Sequence, residues 1–282
     1  MSLLFRFASR FVAGEGVDQA ITAVRKLNSK GLTASLDILG ENVHDKATAE
    51  RAVQGYENLL EDIHQAKVES NVSIKLTMTG LDIGDDYCVE NVTRILEKAR
   101  GRNNFVRIDM EGTPYTDRTL KVFLGLQKIF PNVGIVIQAY LHRSETDIDA
   151  LIAAGARVRL CKGAYKEPPS LAIQKMSEIR KNYKKLAEKL LTQGVYPAIA
   201  THDDSLIRWT KQFAADHAIS RDKFEFQMLY GIRTGTQESI VRDGYRMRIY
   251  VPFGTHWAPY FYRRLRERKE NVWFVVTNLF RG

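Results

Sequence analysis

Eight short runs rich in β-branched and aromatic residues recur along the chain at intervals of about 30 residues, and longer segments with apolar residues at helical spacing separate them. That alternation dictates a parallel sheet built from βα units, because parallel neighbours can be joined only by a crossover long enough to hold a helix. The runs predicted as strands are 34–39, 72–77, 105–110, 134–139, 157–161, 197–201, 224–229 and 247–251. Helices are predicted over 47–68, 89–99, 117–129, 145–154, 170–193, 205–216, 235–242 and 258–268, with an extra one at 17–30 before the first strand. Gly31, Gly101, Gly155, Gly194 and Gly244 fall near helix ends, where a left-handed residue is needed. No linker, composition break or charge block divides the chain. One α/β domain over 1–282 is therefore expected: a closed (βα)8 barrel of the TIM type with an extra N-terminal helix and a short C-terminal helical tail. An open doubly wound sheet is the competitor, but Gly14-Glu15-Gly16 lacks the third glycine of a dinucleotide fingerprint and precedes a helix instead of following a strand.

Charge and cysteine usage narrow the setting. Forty-two Lys and Arg against 33 Asp and Glu give a net charge of +9, which favours an anionic substrate, cofactor, nucleic acid or lipid surface. The 2 cysteines, Cys88 and Cys161, are far apart, so neither a disulfide framework nor a thiolate metal site is expected, and a reducing compartment fits. Arg6 and Arg10 interrupt the apolar stretch 3–11 too early for a signal-peptide core, and no apolar run is long enough for a membrane span.

In a barrel of this kind the chemistry sits at the carboxyl ends of the strands. Polar residues collect there: Lys75, Asp109, Gln138, Arg159 with Lys162, Thr201 with His202, and Tyr250. A charged side chain among apolar strand residues is costly to bury unless paired, so some of these must meet as Lys or Arg with Asp. Arg107 alternates with Asp109 and reads as packing or a structural ion pair. Gly163-Ala164 after Lys162 is a small-residue turn that lets backbone amides approach a phosphate. His202 could serve as acid, base, ligand or satisfied structural histidine, and His202-Asp203-Asp204 reads as a histidine before a helix cap sooner than as a metal site. Tyr262-Arg263-Arg264-Leu265 offers two adjacent guanidiniums, although Arg266, Arg268 and Lys269 make the whole segment basic. A cationic barrel mouth with Asp109 as its acidic partner points to an enzyme that acts on a small anion or holds a phosphorylated cofactor. A Schiff-base or phosphate-binding barrel using Lys75 as nucleophile fits these residues, and a nucleic-acid-binding protein is the non-enzymatic alternative, disfavoured because aromatic and basic residues are not interleaved.

Taken in order, the segments Arg10-Phe11-Val12-Ala13-Gly14-Glu15, Leu36-Asp37-Ile38-Leu39-Gly40-Glu41, Ile74-Lys75-Leu76-Thr77, Arg107-Ile108-Asp109-Met110-Glu111, Val136-Ile137-Gln138-Ala139-Tyr140, Lys162-Gly163-Ala164-Tyr165, Ala200-Thr201-His202-Asp203, the stretch 224–231, Tyr250-Val251-Pro252-Phe253-Gly254 and Tyr262-Arg263-Arg264-Leu265 resemble the proline dehydrogenase family of flavin-dependent barrel enzymes. Cys161 departs from the valine more usual in the family before Lys-Gly-Ala-Tyr. The resemblance implies oxidation of L-proline to Δ1-pyrroline-5-carboxylate by hydride transfer to FAD, with electrons passed on to a quinone. It implies cofactor contacts from Met110, Gln138, Arg159, Lys162, Gly163, Ala164, Thr201 and His202. By the same resemblance Asp109 and Arg159 stand at the catalytic centre, Lys75 pairs with Asp109 beside the substrate, Tyr250 packs on the pyrrolidine ring, and Arg263 and Arg264 clamp the carboxylate. No metal is expected, and no nucleic acid. A cytoplasmic location follows, with peripheral contact at the inner face of the cell membrane left open as the route to the quinone. The long carboxyl extension of bifunctional relatives is absent, so only the first oxidation step is expected.

Overall fold

Eight strands follow one another around a closed barrel, each parallel to the next. They are β1 (Thr33–Ile38), β2 (Ser70–Ile74), β3 (Val106–Ile108), β4 (Val133–Gln138), β5 (Arg157–Cys161), β6 (Ala198–Ala200), β7 (Glu225–Leu229) and β8 (Arg246–Phe253), and β8 closes on β1 through Ser35 opposite Tyr250. The computed structural model describes residues 9–260. Helix α1 (Val17–Asn28) precedes the barrel, and α2 (Lys46–Ala66), α3 (Asp85–Gly101), α4 (Thr113–Gln127), α5 (Ser144–Ala153), α6 (Met176–Gln193), α7 (Asp204–Asp216) and α8 (Thr234–Arg242) fill the crossovers. The barrel expected from the sequence is the fold found, and each predicted strand lies in its place. The helix predicted over 258–268 lies mostly outside the described residues, of which 257–260 are helical.

The strands show why the pattern was readable. One face of each carries apolar residues such as Leu36, Val72, Ile74, Val106, Ile108, Ile135, Leu160, Phe226 and Ile249, which join Val53, Leu59, Val92, Phe123 and Leu186 of the surrounding helices in a single cluster. Residues of the other face bond to one another across the barrel: Arg159 of β5 reaches Ser73 of β2, and Tyr250 of β8 reaches Asp109 after β3. The interior is thus polar and cross-linked where most barrels of this kind are filled with branched aliphatics. Because each buried charge there costs several kcal/mol unless matched, register and ion pairing are specified together.

Three local features differ from the sequence reading. Helix α6 starts at Met176 and not at 170, because Pro168-Pro169 supply no amide donors and residues 171–173 bond elsewhere: His142 donates to the Leu171 carbonyl, and Ile173 donates to that of Tyr140. Helix α4 starts at Thr113 and not at 117, with Pro114 in its first turn, where an amide would be unsatisfied anyway. Gly101 and Gly194 do not take the left-handed conformation; Asn103 (φ 50°) and Tyr196 (φ 46°) make those reversals instead.

The N-terminal segment helps to shape the carboxyl end. Ala13 donates to the Pro252 carbonyl, Gly254 donates to that of Gly14, and Phe11 and Val12 form a small cluster with Leu39, Ile232 and Tyr260.

Candidate active site

The carboxyl mouth holds a cavity of about 450 Å³. Lys75, Asp109, Met110, Gln138, Arg159, Lys162, Gly163, Ala164, Thr201, His202 and Tyr250 all line it, so every nominated site residue among those described is brought to one place. Arg263 and Arg264 lie outside the described residues.

At its floor two carboxylates and two cations alternate. Lys75 Nζ lies 2.9 and 3.0 Å from the two oxygens of Asp37, and Arg159 donates to Asp109 Oδ1 at 2.8 Å. Tyr250 donates to Asp109 Oδ2 at 2.8 Å, and the Arg159 guanidinium stands 5.4 Å from the Tyr250 ring centre. Beneath it Arg159 donates to Ser73 Oγ at 3.1 Å, while the Ser35 and Ser73 hydroxyls bond each other at 3.0 Å. The expected Lys75–Asp109 ion pair is therefore corrected: Lys75 pairs with Asp37 from the adjacent strand, and Asp109 is taken by Arg159 and Tyr250. Neighbouring β1 and β2 put Asp37 within short reach of an ammonium, whereas the longer guanidinium crosses from β5.

Electrostatics decide what Lys75 can do. Burial alone would depress its ammonium, but Asp37 and Asp109 outweigh that and raise it above the ordinary lysine value. A Schiff-base nucleophile needs the opposite shift, and the buried contact of Lys75 Nζ with both oxygens of Asp37 argues for a structural ammonium instead. Burial, with Asp109 and Asp37 adding to it, raises the Tyr250 phenol well above the ordinary value, so it stays a donor.

The loop after β5 forms the other wall. Gln138 anchors it from both ends of one amide: Nε2 donates to the Glu111 carbonyl at 3.0 Å, and Oε1 accepts from the Ala164 amide at 3.1 Å. Gly163 has φ +132°, and a Cβ there would lie 2.3 Å from the Tyr140 ring, so only glycine lets this backbone lie flat on the ring. Lys162 and Arg180 both donate to Asp203 Oδ2, at 2.6 and 2.7 Å, and hold that carboxyl well below its usual range although burial acts to raise it. Asp203 also caps α7 by accepting from the Ser205 amide. His202 Nε2 accepts from the Leu229 amide at 2.9 Å, which fixes its tautomer as in a structural histidine. No cluster of His, Cys, Asp and Glu suited to a metal occurs among the described residues.

Such a mouth combines a charge-balanced floor, a donor-rich wall and a glycine cradle, the parts needed to hold a phosphorylated cofactor over a small polar substrate. Residues 20–277 match the family model described as proline dehydrogenase. The chain belongs to the proline dehydrogenase family. It is 44% identical over 272 residues to proline dehydrogenase 2 of Bacillus subtilis, covering 96% of this chain and 90% of that protein. With the proline dehydrogenase of Deinococcus radiodurans it shares 38% identity over 284 residues, 99% of this chain and 92% of that one. The crystal structure of proline utilization A from Bdellovibrio bacteriovorus, inactivated by N-propargylglycine, superposes with a TM-score of 0.87 at 27% identity. That match covers 93% of this chain and 32% of the larger protein, so the chain spans about a third of it.

Their strand-end positions singled out Lys75, Asp109 and Arg159 in the sequence but not their full surroundings. Asp37 carried the same signal as Asp109, a carboxylate inside an apolar strand, yet was not named as a site residue. Glu111, which accepts from the Thr77 amide at 3.1 Å beneath Gln138, and Arg180 on α6 had no local signal that set them apart.

Proposed function

We propose that this chain oxidises L-proline to Δ1-pyrroline-5-carboxylate with FAD as the hydride acceptor and a quinone as the final acceptor of the electrons. Membership of the proline dehydrogenase family supports the reaction, and the observation that carries the site assignment is the convergence of all eleven described candidate residues on one cavity.

The chain's own groups fit FAD. The Gly163-Ala164 backbone, which only glycine lets lie on the Tyr140 ring, lines the cavity and with Lys162 suits a pyrophosphate, and Arg159 Nε is buried without a hydrogen-bond partner. Bound there, FAD supplies a two-electron acceptor. Met110, Gln138, Thr201 and His202 complete the cofactor wall in this reading. Arg159, fixed by Asp109 and the two serines, holds a positive charge where negative charge develops on reduction. Tyr250 presents its ring to the substrate side, and its bond to Asp109 keeps that ring in place. Asp109 acts by orienting Arg159 and Tyr250, and Lys75 by neutralising Asp37 below the substrate.

One requirement points beyond the described residues. Lys75 is matched by Asp37 and Arg159 by Asp109, so the described floor offers the proline carboxylate no surplus cation, while Lys162 shares Asp203 with Arg180 on the cofactor wall. Tyr260 lines the cavity, and Arg263 and Arg264 follow it by three and four positions, within roughly 10–14 Å of extended chain. They are assigned the carboxylate, which suits bidentate guanidinium recognition. With FAD bound, the barrel's task would be to align the ring carbon beside an unprotonated ring nitrogen with the cofactor and to exclude water. In this reading the quinone is met at a membrane surface, which the net charge of +9 favours; no helix among the described residues is long and apolar enough to cross a membrane.

The purified protein is expected to show a two-band flavin spectrum that bleaches on anaerobic addition of L-proline. A yellow protein that does not bleach would refute the substrate, and a protein that stays colourless with added FAD would refute the cofactor.

A further inference from the structure

The barrel has a second opening. At its amino end a cavity of about 770 Å³ lies under the starts of the strands, on the far side of the polar interior from the active-site mouth. Three guanidiniums, those of Arg107, Arg157 and Arg248, and one buried carboxylate, that of Glu225, face it; Lys67 and Glu69 sit on its exposed rim, and Arg102 there is tied to Glu61.

The single carboxylate is already saturated. Arg248 grips Glu225 with Nε at 2.8 Å and Nη2 at 3.1 Å, Gln227 and Tyr196 donate to the same group, and the remaining Arg248 Nη1 donates to the Ala34 carbonyl. Arg107 and Arg157 make no direct ion pair among the described residues and feel Glu225 only at longer range. Arg107 is only 2% exposed, and its one satisfied nitrogen donates to two backbone carbonyls, those of Ile135 and Arg157. Its Nε and the Nε of Arg157 are both buried without a hydrogen-bond partner.

Both groups are nevertheless held in fixed poses. Their guanidiniums lie 5.0 and 4.6 Å from the centre of the same Phe105 ring, and Arg157 also stacks on Tyr196 at 4.6 Å. Gly134 of β4 clears the space, since a Cβ there would fall 2.5 Å from Arg107 Nη1 and 2.7 Å from the Phe105 ring. Stacking occupies the faces of a guanidinium, and with Arg107 Nη1 committed to two carbonyls and both Nε atoms buried, the remaining terminal N–H groups are the ones offered to a planar or tetrahedral oxyanion. Burial, with Arg159, Arg157 and Arg248 adding to it against Glu225, lowers the Arg107 guanidinium well below its usual value; burial lowers Arg157 too. Two uncompensated positive charges in a low-dielectric cavity are costly unless a partner of charge two is bound.

We propose that the amino end of the barrel is a second ligand site, in which Arg107 and Arg157 bind a small doubly charged oxyanion of the phosphate or sulfate type. Its occupant ties β3 to β5 beneath the active site and stabilises the closed barrel.

The test is a thermal melt and a calorimetric titration of the flavin-loaded protein with sodium phosphate, and with sodium chloride at equal ionic strength. Phosphate is expected to raise Tm saturably where chloride does not. Because Arg107 is deeply buried and its loss could prevent folding, the deciding variant is Arg157→Gln, expected to weaken phosphate binding at least tenfold. Lys162→Gln, at the opposite mouth, is expected to keep the wild-type phosphate affinity. Equal responses to phosphate and chloride, an unaltered affinity in Arg157→Gln, or a loss confined to Lys162→Gln each overturns the proposal.

Discussion

Arg159 and Asp109 meet at 2.8 Å across the mouth of the barrel, one from β5 and the other from the end of β3, and the second oxygen of the same carboxylate is held by Tyr250. One carboxylate therefore positions both the cation assigned to the flavin and the ring assigned to the substrate. Removing it in Asp109→Ala leaves the Arg159 charge unpaired in a buried setting, which costs about 3 kcal/mol of stability. Loss of alignment is expected to lower kcat/KM roughly a hundredfold, with Asp109→Asn retaining more because it can still accept. Urea unfolding and steady-state kinetics check the two effects, and a variant with normal kinetics would remove Asp109 from the positioning role.

Gly163→Ala tests the cradle. A methyl group there must move Tyr140 and also carry the strain of φ +132°, so the loop after β5 is displaced from the Gln138 anchor. The expected outcome is weakened FAD retention with an intact barrel. It is read as a lower ratio of flavin to protein absorbance with an unchanged far-ultraviolet circular dichroism spectrum.

Arg264→Ala addresses the carboxylate clamp. Since the cofactor wall is built from strand ends between Met110 and His202, FAD is expected to stay bound while most proline oxidation is lost, chiefly through a raised KM. Wild-type kinetics in this variant would remove Arg264 from substrate binding.

The two cysteines offer a footprint. Cys88 is fully buried, and burial pushes its thiol up to about 12, so it should resist alkylation in the native state. Cys161 is partly exposed and lines the mouth. Mass spectrometry after iodoacetamide treatment is expected to find label on Cys161 first, and bound FAD should slow that reaction. Label appearing first on Cys88 would contradict its packing against Leu76 and Thr79 in the segment after β2.

The strands were legible because each carries a face of Val, Ile and Leu, and Lys75, Asp109 and Arg159 stood out against that background. Their pairing was not legible. Partners at the mouth are 38 residues apart in Lys75–Asp37 and 50 in Arg159–Asp109, and only barrel closure and strand tilt decide which cation meets which carboxylate. Arg107 illustrates the limit from the other side. A two-residue period correctly puts it on the same inward face as Asp109, yet one pleat along a three-residue strand separates the active-site mouth from the opposite end of the barrel. The start of α6 was hidden for a different reason: 170–175 has helical composition, but its backbone is committed to the loop at 140–142.

Glu225 predicts the acid limit of the fold. It is buried, and although burial acts to raise its carboxyl, the bidentate bond from Arg248 and the Gln227 amide bring it from 4.5 down to about 2. A carboxyl depressed in the folded state contributes stability that is complete above its unfolded value of 4.5 and disappears as pH falls through the folded value of about 2. For a shift of this size the contribution is about 3 kcal/mol, and its loss is confined to that acid window. Urea unfolding of wild type and Glu225→Gln at a series of pH values should therefore show two effects. Glu225→Gln is less stable at neutral pH because Arg248 loses its counter-ion, and the gap between the two proteins closes between pH 4.5 and 2. A gap that stays constant through that window would mean that Glu225 is not held ionised by Arg248, and the polar interior of the barrel would need a different charge assignment.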